Sequence, residues 1–198
     1  MCAAQLIVSL FSTIVNSMKK SITFILVTWS AIQGFSEDNI YRTKLEQAVN
    51  TTGFLYKQEV YTVDNIPAFR MDAVKITNLE KFTVISGIKV LHKIQVKKEL
   101  KTIYNYIDAD EIDGLLTSLQ YMKTILKSQT IPGNYTEIKY TSKSGFQVSL
   151  ATILNVSNKL DWNFTVQTNL SSERTLVILP LGDIGKLQDT LEQAKGKL

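Results

Sequence analysis

An α+β fold built mainly from antiparallel strands is predicted by three features of the sequence. Residues 54–107 are rich in Val, Ile, Thr, Tyr and Phe and alternate in part between apolar and polar side chains, as strands do. An apolar stripe at helical spacing follows in residues 112–126. After the turn-forming segment 131–134, a second strand-rich stretch again leads into a helical pattern. We therefore expect antiparallel sheet, a short N-terminal helix and two longer helices.

The first half of the chain is predicted to contain one helix and four strands. Residues 37–49 fit a short helix that ends before Gly53. The turn signals Asn65-Ile66-Pro67 and Asn78-Leu79-Glu80 divide the strand-rich region that follows. The strands are expected at residues 54–63, 68–78, 81–95 and 101–107.

The next helix begins with a cluster of acidic residues. Asp108 precedes Glu111 by three positions, which is the spacing of a capping box, and carboxylates are favourable at the positive end of a helix. The alternative is a site for a hard cation formed by Asp108, Asp110, Glu111 and Asp113. Capping is favoured, because the cluster lacks the loop glycine and the spacing of an EF-hand.

The second half is predicted to follow the same order of elements. Strands are expected at residues 135–142, 145–154, 160–168 and 174–179, followed by a helix over residues 182–197. Residues 175–179 are apolar at nearly every position, which predicts a strand buried on both faces. A shift of 72 residues aligns Ile112 with Ile184 and Leu115 with Leu187. Either the units 54–128 and 134–198 are a duplication, or two strand-to-helix junctions match by chance.

Residues 1–36 are interpreted as a leader. Lys19 and Lys20 precede about a dozen apolar residues and then small ones, as in a secretory signal peptide. We expect translation to start at Met18 and cleavage to occur before Glu37, leaving a single domain of residues 37–198. The alternative is an uncleaved hydrophobic leader that holds the protein at a membrane. Cleavage lowers the net charge from +4 to +2, since the leader contains two lysines and no acidic residue.

The composition excludes several classes of site. The chain of 198 residues has one Cys and one His, which rules out a disulfide framework and a zinc site built from Cys and His. It has no glycine-rich phosphate loop and no nucleophile motif. We expect no metal and no cofactor.

His92 is the only imidazole in the chain. It is interpreted either as a general base or, more simply, as a strand residue at the edge of a face with lysines beside it. An exported hydrolase that uses carboxylates with His92 in support is the alternative function. Glu59, Asp72 and Asp161 offer further carboxylates, but nothing in the sequence selects a pair.

The leading hypothesis is an exported, non-enzymatic binding protein that acts through a sheet face or a cleft between the two units. Tyr and Trp suit binding surfaces because they combine contact area with a polar group. Its destination is expected to be periplasmic or extracellular, and its partner an envelope or extracellular protein or a small ligand. Lysines near Tyr104 also fit a nucleic-acid platform, but export and the low net charge argue against nucleic acid. The predicted binding residues are Tyr104, Tyr106, Tyr56, Tyr61 and Trp162, with Tyr135 and Tyr140 as further candidates.

Overall fold

Two four-stranded antiparallel sheets form the framework of the protein. The computed structural model describes residues 42–128 and 130–198, so the predicted leader lies outside the described residues. In each sheet the strands are neighbours in the order in which they occur along the chain. The first sheet contains β1 (Tyr56–Ile66), β2 (Phe69–Asn78), β3 (Val84–Val96) and β4 (Glu99–Asp108). The second contains β5 (Glu137–Thr141), β6 (Gln147–Leu154), β7 (Leu160–Gln167) and β8 (Leu176–Leu179).

Three α-helices accompany the sheets within the described residues: α1 (Lys44–Asn50), α2 (Ile112–Lys127) and α3 (Asp183–Lys195). Short 3-10 turns at Ala109–Glu111 and Glu173–Thr175 precede α2 and β8. Four antiparallel strands followed by a helix therefore occur twice. The aligned helix residues Ile112 and Ile184 are both buried, as are Leu115 and Leu187. The predicted α+β fold class is confirmed.

Each long helix contacts the sheet of the other unit. Helix α2 lies against β5 and α3, whereas α3 lies against β1 and β2. At Gly114 in α2, an added Cβ would lie 3.2 Å from the Tyr140 ring of β5. One buried apolar cluster accordingly includes residues of both sheets and both helices. The two units share one core.

The N-terminal helix is shorter than predicted. Of the predicted range 37–49, residues 37–41 lie outside the described residues, and Arg42 and Thr43 are not helical. The helix begins at Lys44 because Thr43 is its N-cap, with Oγ1 accepting a hydrogen bond from the N–H of Glu46 at 3.0 Å. A polar N-cap side chain satisfies one of the backbone donors left open at a helix start.

The prediction for β8 was wrong. Leu176 is 50% exposed and Ile178 is 67% exposed, whereas Leu179 is buried. Strand β8 pairs with β7 alone and lies at the edge of its sheet. Only one of its faces packs on the core, so the continuous apolar run indicates an edge strand with exposed apolar side chains rather than a fully buried one.

Candidate binding face of the first sheet

The two faces of the first sheet have different surroundings. One face carries Phe69, Met71 and Val90 into the shared core. The strand register directs the intervening residues to the opposite face, which we call the outer face. Its central rows pair Arg70 with Leu91 and Asp72 with Lys89. Leu91 and Lys89 pair in turn with Tyr104 and Tyr106.

Helix α1 covers one half of the outer face. Leu45 and Ala48 of α1 form a small apolar cluster with Val74 and Ile76 of β2, and Tyr106 packs against it. On the other half, Arg70, Lys93 and Tyr104 are exposed to solvent, whereas Asp72 is buried. This half, which we call the open half, contains Arg70, Asp72, Lys89, Leu91, Lys93, Thr102 and Tyr104.

Asp72 is a buried carboxylate at the centre of the outer face. It is 1% exposed and lies between Thr62 of β1 and Lys89 of β3. Its Oδ2 accepts a hydrogen bond from Arg70 at 2.8 Å, while its Oδ1 accepts none from any residue that the structure describes. A buried polar atom without a partner is destabilising by about 1–3 kcal/mol. Asp72 therefore holds an unused acceptor next to a cation.

Lys89 and Tyr104 form a cation–π contact on the open half. The Lys89 Nζ lies 4.3 Å from the centre of the Tyr104 ring. Tyr104 remains 48% exposed, so its ring is accessible despite this contact. Lys89 is also the residue directly opposite Asp72 in the β2–β3 register.

A solvent-open groove borders the open half below the β1–β2 turn. Its lining includes Pro67 and Ala68 of the turn together with Arg70, Lys93 and Tyr104. His92 also borders the groove, and none of the Asp or Glu side chains that the structure describes does. The groove therefore combines cationic and aromatic groups, and it does not bring His92 together with a carboxylate.

The five predicted binding residues do not form one cluster. Tyr104 and Tyr106 share the outer face, as alternation predicted, but Tyr106 lies under α1 and burial raises its pKa. Tyr56 lies at the far end of that face against the Phe54 ring. Tyr61 is on the other face of the edge strand β1 and donates a hydrogen bond to Glu59 at 3.2 Å. Trp162 belongs to the second sheet.

The remaining aromatic candidates connect secondary-structure elements. The Trp162 Nε1–H donates to the carbonyl of Thr130 at 3.1 Å, which joins β7 to the segment before β5. The Tyr140 hydroxyl donates to the carbonyl of Glu111 at 3.0 Å at the start of α2. Tyr135 is exposed outside the strands. Of the predicted aromatic residues, only Tyr104 lies on the open half.

His92 links the two sheets instead of lying at an exposed edge. It is 7% exposed, and its Nδ1 lies 2.9 Å from the Thr168 Oγ1 beyond β7. Asn105 donates to the Thr168 carbonyl at 2.6 Å. Burial lowers the pKa of His92. This arrangement favours a neutral imidazole with a structural partner.

The acidic cluster caps two helices. The predicted capping box between Asp108 and Glu111 is present. The Asp108 carboxylate also accepts the backbone N–H groups of Lys44 and Leu45, at 2.9 and 3.0 Å, so it caps α1 from 63–64 residues away. Glu111 accepts the N–H of Lys143 at 2.7 Å. The hydrogen bond from Lys44 lowers the pKa of Asp110. Asp108 and Glu111 therefore accept backbone N–H groups, which is the capping role that the sequence favours.

Sequence reasoning missed the Arg70–Asp72 pair. In the sequence, Asp72 is one of several carboxylates that no pattern assigns to a site. Alternation in Arg70-Met71-Asp72 does place these two opposite charges on one face of the strand. That pattern is the signal that points to this face.

No protein-family model matches the chain, and no curated protein is significantly similar to it. In residues 42–128 and 130–198, no helix has both the length and the apolar character needed to cross a bilayer.

Proposed function

We propose that the protein is an exported, non-enzymatic binding protein that acts through the open half of the outer face. The observation that carries this proposal is the accessible Tyr104 ring among Arg70, Lys89 and Lys93, beside a solvent-open groove. Exposed Tyr and Arg side chains are enriched among residues that dominate binding energies. A rigid sheet holds them in fixed positions, which reduces the entropy lost on binding.

The buried polar side chains outside the open half have structural partners and are not arranged as a catalytic site. His92 is engaged by Thr168, and Asp108 and Glu111 hold backbone N–H groups. The open half, in contrast, has donors that are accessible from solvent: the Arg70 side chain is 46% exposed. Because the buried groups already have partners and the accessible donors lie on the open half, a binding function is favoured over a catalytic one.

Export is supported by the sequence of residues 1–36 and gives a periplasmic or extracellular destination. Mass spectrometry of the protein recovered from outside the cytoplasm tests this part. We expect a mature chain that begins at Glu37. A chain that retains Met1 would refute the cleaved signal peptide.

Binding is tested with the immobilised full chain and extracts of the cell envelope and culture medium. A double variant, Arg70→Ala with Tyr104→Ala, should lose partners that the wild-type protein retains. The matched control is Arg174→Ala with Tyr121→Ala, which removes the same side chains from exposed positions outside the outer face. Equal retention by both double variants would refute the proposed face.

A further inference from the structure

We infer that the open half is a site for an acidic glycan, in which a sugar ring stacks on Tyr104 and a carboxylate on the sugar binds Arg70. This inference rests on the proposed function and names its ligand class. It combines three observations: an accessible aromatic ring, a cluster of cations and a buried carboxylate oxygen without a partner.

Tyr104 supplies the stacking surface. Its ring is half exposed, and its register neighbour Leu91 extends the apolar area across β3. One face of a pyranose ring consists mainly of C–H groups and fits a flat apolar surface, while its hydroxyl groups point outward. Thr102 and Lys93, paired in the next row, lie where such hydroxyl groups find an acceptor and a donor.

Arg70 supplies the anion contact. One of its terminal nitrogens is bonded to Asp72, and this bond holds the guanidinium at the margin of the groove. A guanidinium has five N–H donors, so donors remain for a carboxylate on a ligand. Arg–carboxylate pairs are often bidentate, which fixes orientation as well as affinity.

Asp72 and Lys89 are positioning residues in this site. A sugar stacked on Tyr104 displaces the Lys89 ammonium from the ring, where it now lies at 4.3 Å. Asp72 is directly opposite Lys89 across the β2–β3 pair, and its Oδ1 lacks a partner among the described residues. In this proposal, the displaced ammonium turns toward that carboxylate and pairs with it. That gain offsets the loss of the cation–π contact.

The charge balance favours an acidic glycan over a nucleic acid. Arg70, Lys89 and Lys93 carry three positive charges, and Asp72 places a negative charge among them. A continuous phosphodiester chain requires a uniformly basic track, because its affinity depends on neutralising many phosphates. Spaced carboxylates on a hydroxyl-rich polymer suit a face of mixed sign.

The test is isothermal titration calorimetry of the full chain with polygalacturonate. Methyl-esterified polygalacturonate keeps the sugar rings and removes the charge, and a single-stranded oligothymidylate tests the nucleic-acid alternative. We expect binding to polygalacturonate only. Tyr104→Ala should weaken it about tenfold, Arg70→Lys should weaken it by loss of the bidentate contact, and Tyr104→Phe should retain it.

Asp72→Asn distinguishes the positioning role from a purely structural one. Asparagine cannot offset the displacement of Lys89 with an ion pair, so we expect affinity for polygalacturonate to fall several-fold, with circular dichroism spectra unchanged. The double variant Asp72→Asn with Lys89→Met should show no further loss, because Lys89 no longer covers the ring. Weaker binding by this double variant than by Asp72→Asn alone would refute the exchange.

The possible results distinguish a failure of the glycan inference from a failure of the proposed binding function. If the protein binds the oligothymidylate instead, and Tyr104→Ala abolishes that binding, the ligand class is wrong but the open half is still the binding face. A second result is that the full chain binds none of the three polymers, while the Arg70→Ala, Tyr104→Ala double variant still loses the extract partners that the wild-type protein retains. That result would also overturn only the glycan as the ligand. Binding of polygalacturonate that survives Tyr104→Ala and Arg70→Ala would overturn the site itself.

Discussion

Replacement of Asp108 by alanine tests the cap that connects α1 to the first sheet. The Asp108 carboxylate is 2% exposed and accepts two backbone N–H groups of α1, from Lys44 and Leu45. Hydrogen bonds to a charged group contribute about 1.5–3 kcal/mol each, and freed N–H groups of a fraying helix regain part of this from water. We therefore expect Asp108→Ala to lower the free energy of unfolding by about 3 kcal/mol. For a domain of this size that corresponds to about 6–12 °C in Tm.

The assay is urea unfolding followed by circular dichroism, with thermal melting as a second measurement. Asp108→Asn keeps one acceptor oxygen and should lose roughly half as much. Asp189→Ala, at an exposed position in α3, is the matched control and should change stability by less than about 0.5 kcal/mol. If Asp108→Ala destabilises no more than Asp189→Ala does, the long-range cap contributes nothing to stability and the reasoning is wrong.

Three further predictions concern the core and its polar contacts. Burial lowers the folded-state pKa of His92, so the folded state binds fewer protons than the unfolded one. The free energy of unfolding should therefore decrease as the pH falls below about 6.5. In denaturant titrations between pH 5 and 7, His92→Gln should remove that dependence. Gly87→Ala should destabilise strongly or prevent folding, because its Cβ would lie 2.2 Å from the Ile107 carbonyl oxygen; a wild-type Tm would contradict this close approach. Leu187→Ala should cost about 2–5 kcal/mol, since the side chain is fully buried in the shared core; a loss under 1 kcal/mol in urea unfolding would show that the α3 contacts are loose.

The elements of this fold were predictable because each leaves a local pattern. The stripe beginning at Ile112 and the cap at Asp108 locate α2 to within about a turn, and turn residues separate the strands. The alignment of Ile112 with Ile184 anticipated that two helices bury equivalent positions. Such patterns reflect the periodicity of a single segment, and one sequence is sufficient to see them.

Which element packs against each face of a strand was not predictable from such local patterns. Leu176 and Ile178 have the composition of buried residues but lie exposed, because no described element packs on that side of β8. Asp108 serves a helix more than 60 residues away, and the partner of His92 is in the other unit. Alternation shows which residues share a face, whereas tertiary contacts decide what lies against that face.

The same limit applies to the binding face. Alternation placed Tyr104 and Tyr106 together, and the structure separates them because α1 covers only Tyr106. The importance of Arg70 depends on its bond to a carboxylate that is buried only in the assembled sheet. No composition rule distinguishes that pair from other charges in strands.

Each long helix packs on the sheet of the other unit, and this affects the order in which the chain can fold. Strands β1 and β2 are synthesised before the helix that packs on them, α3, which begins only at Asp183. Contacts between distant segments form late, because loop closure must precede them. Until α3 has been synthesised, β1 and β2 therefore lack one of the elements that pack on them. On the proposed export route, β1 and β2 would cross the membrane before α3 can pack on them.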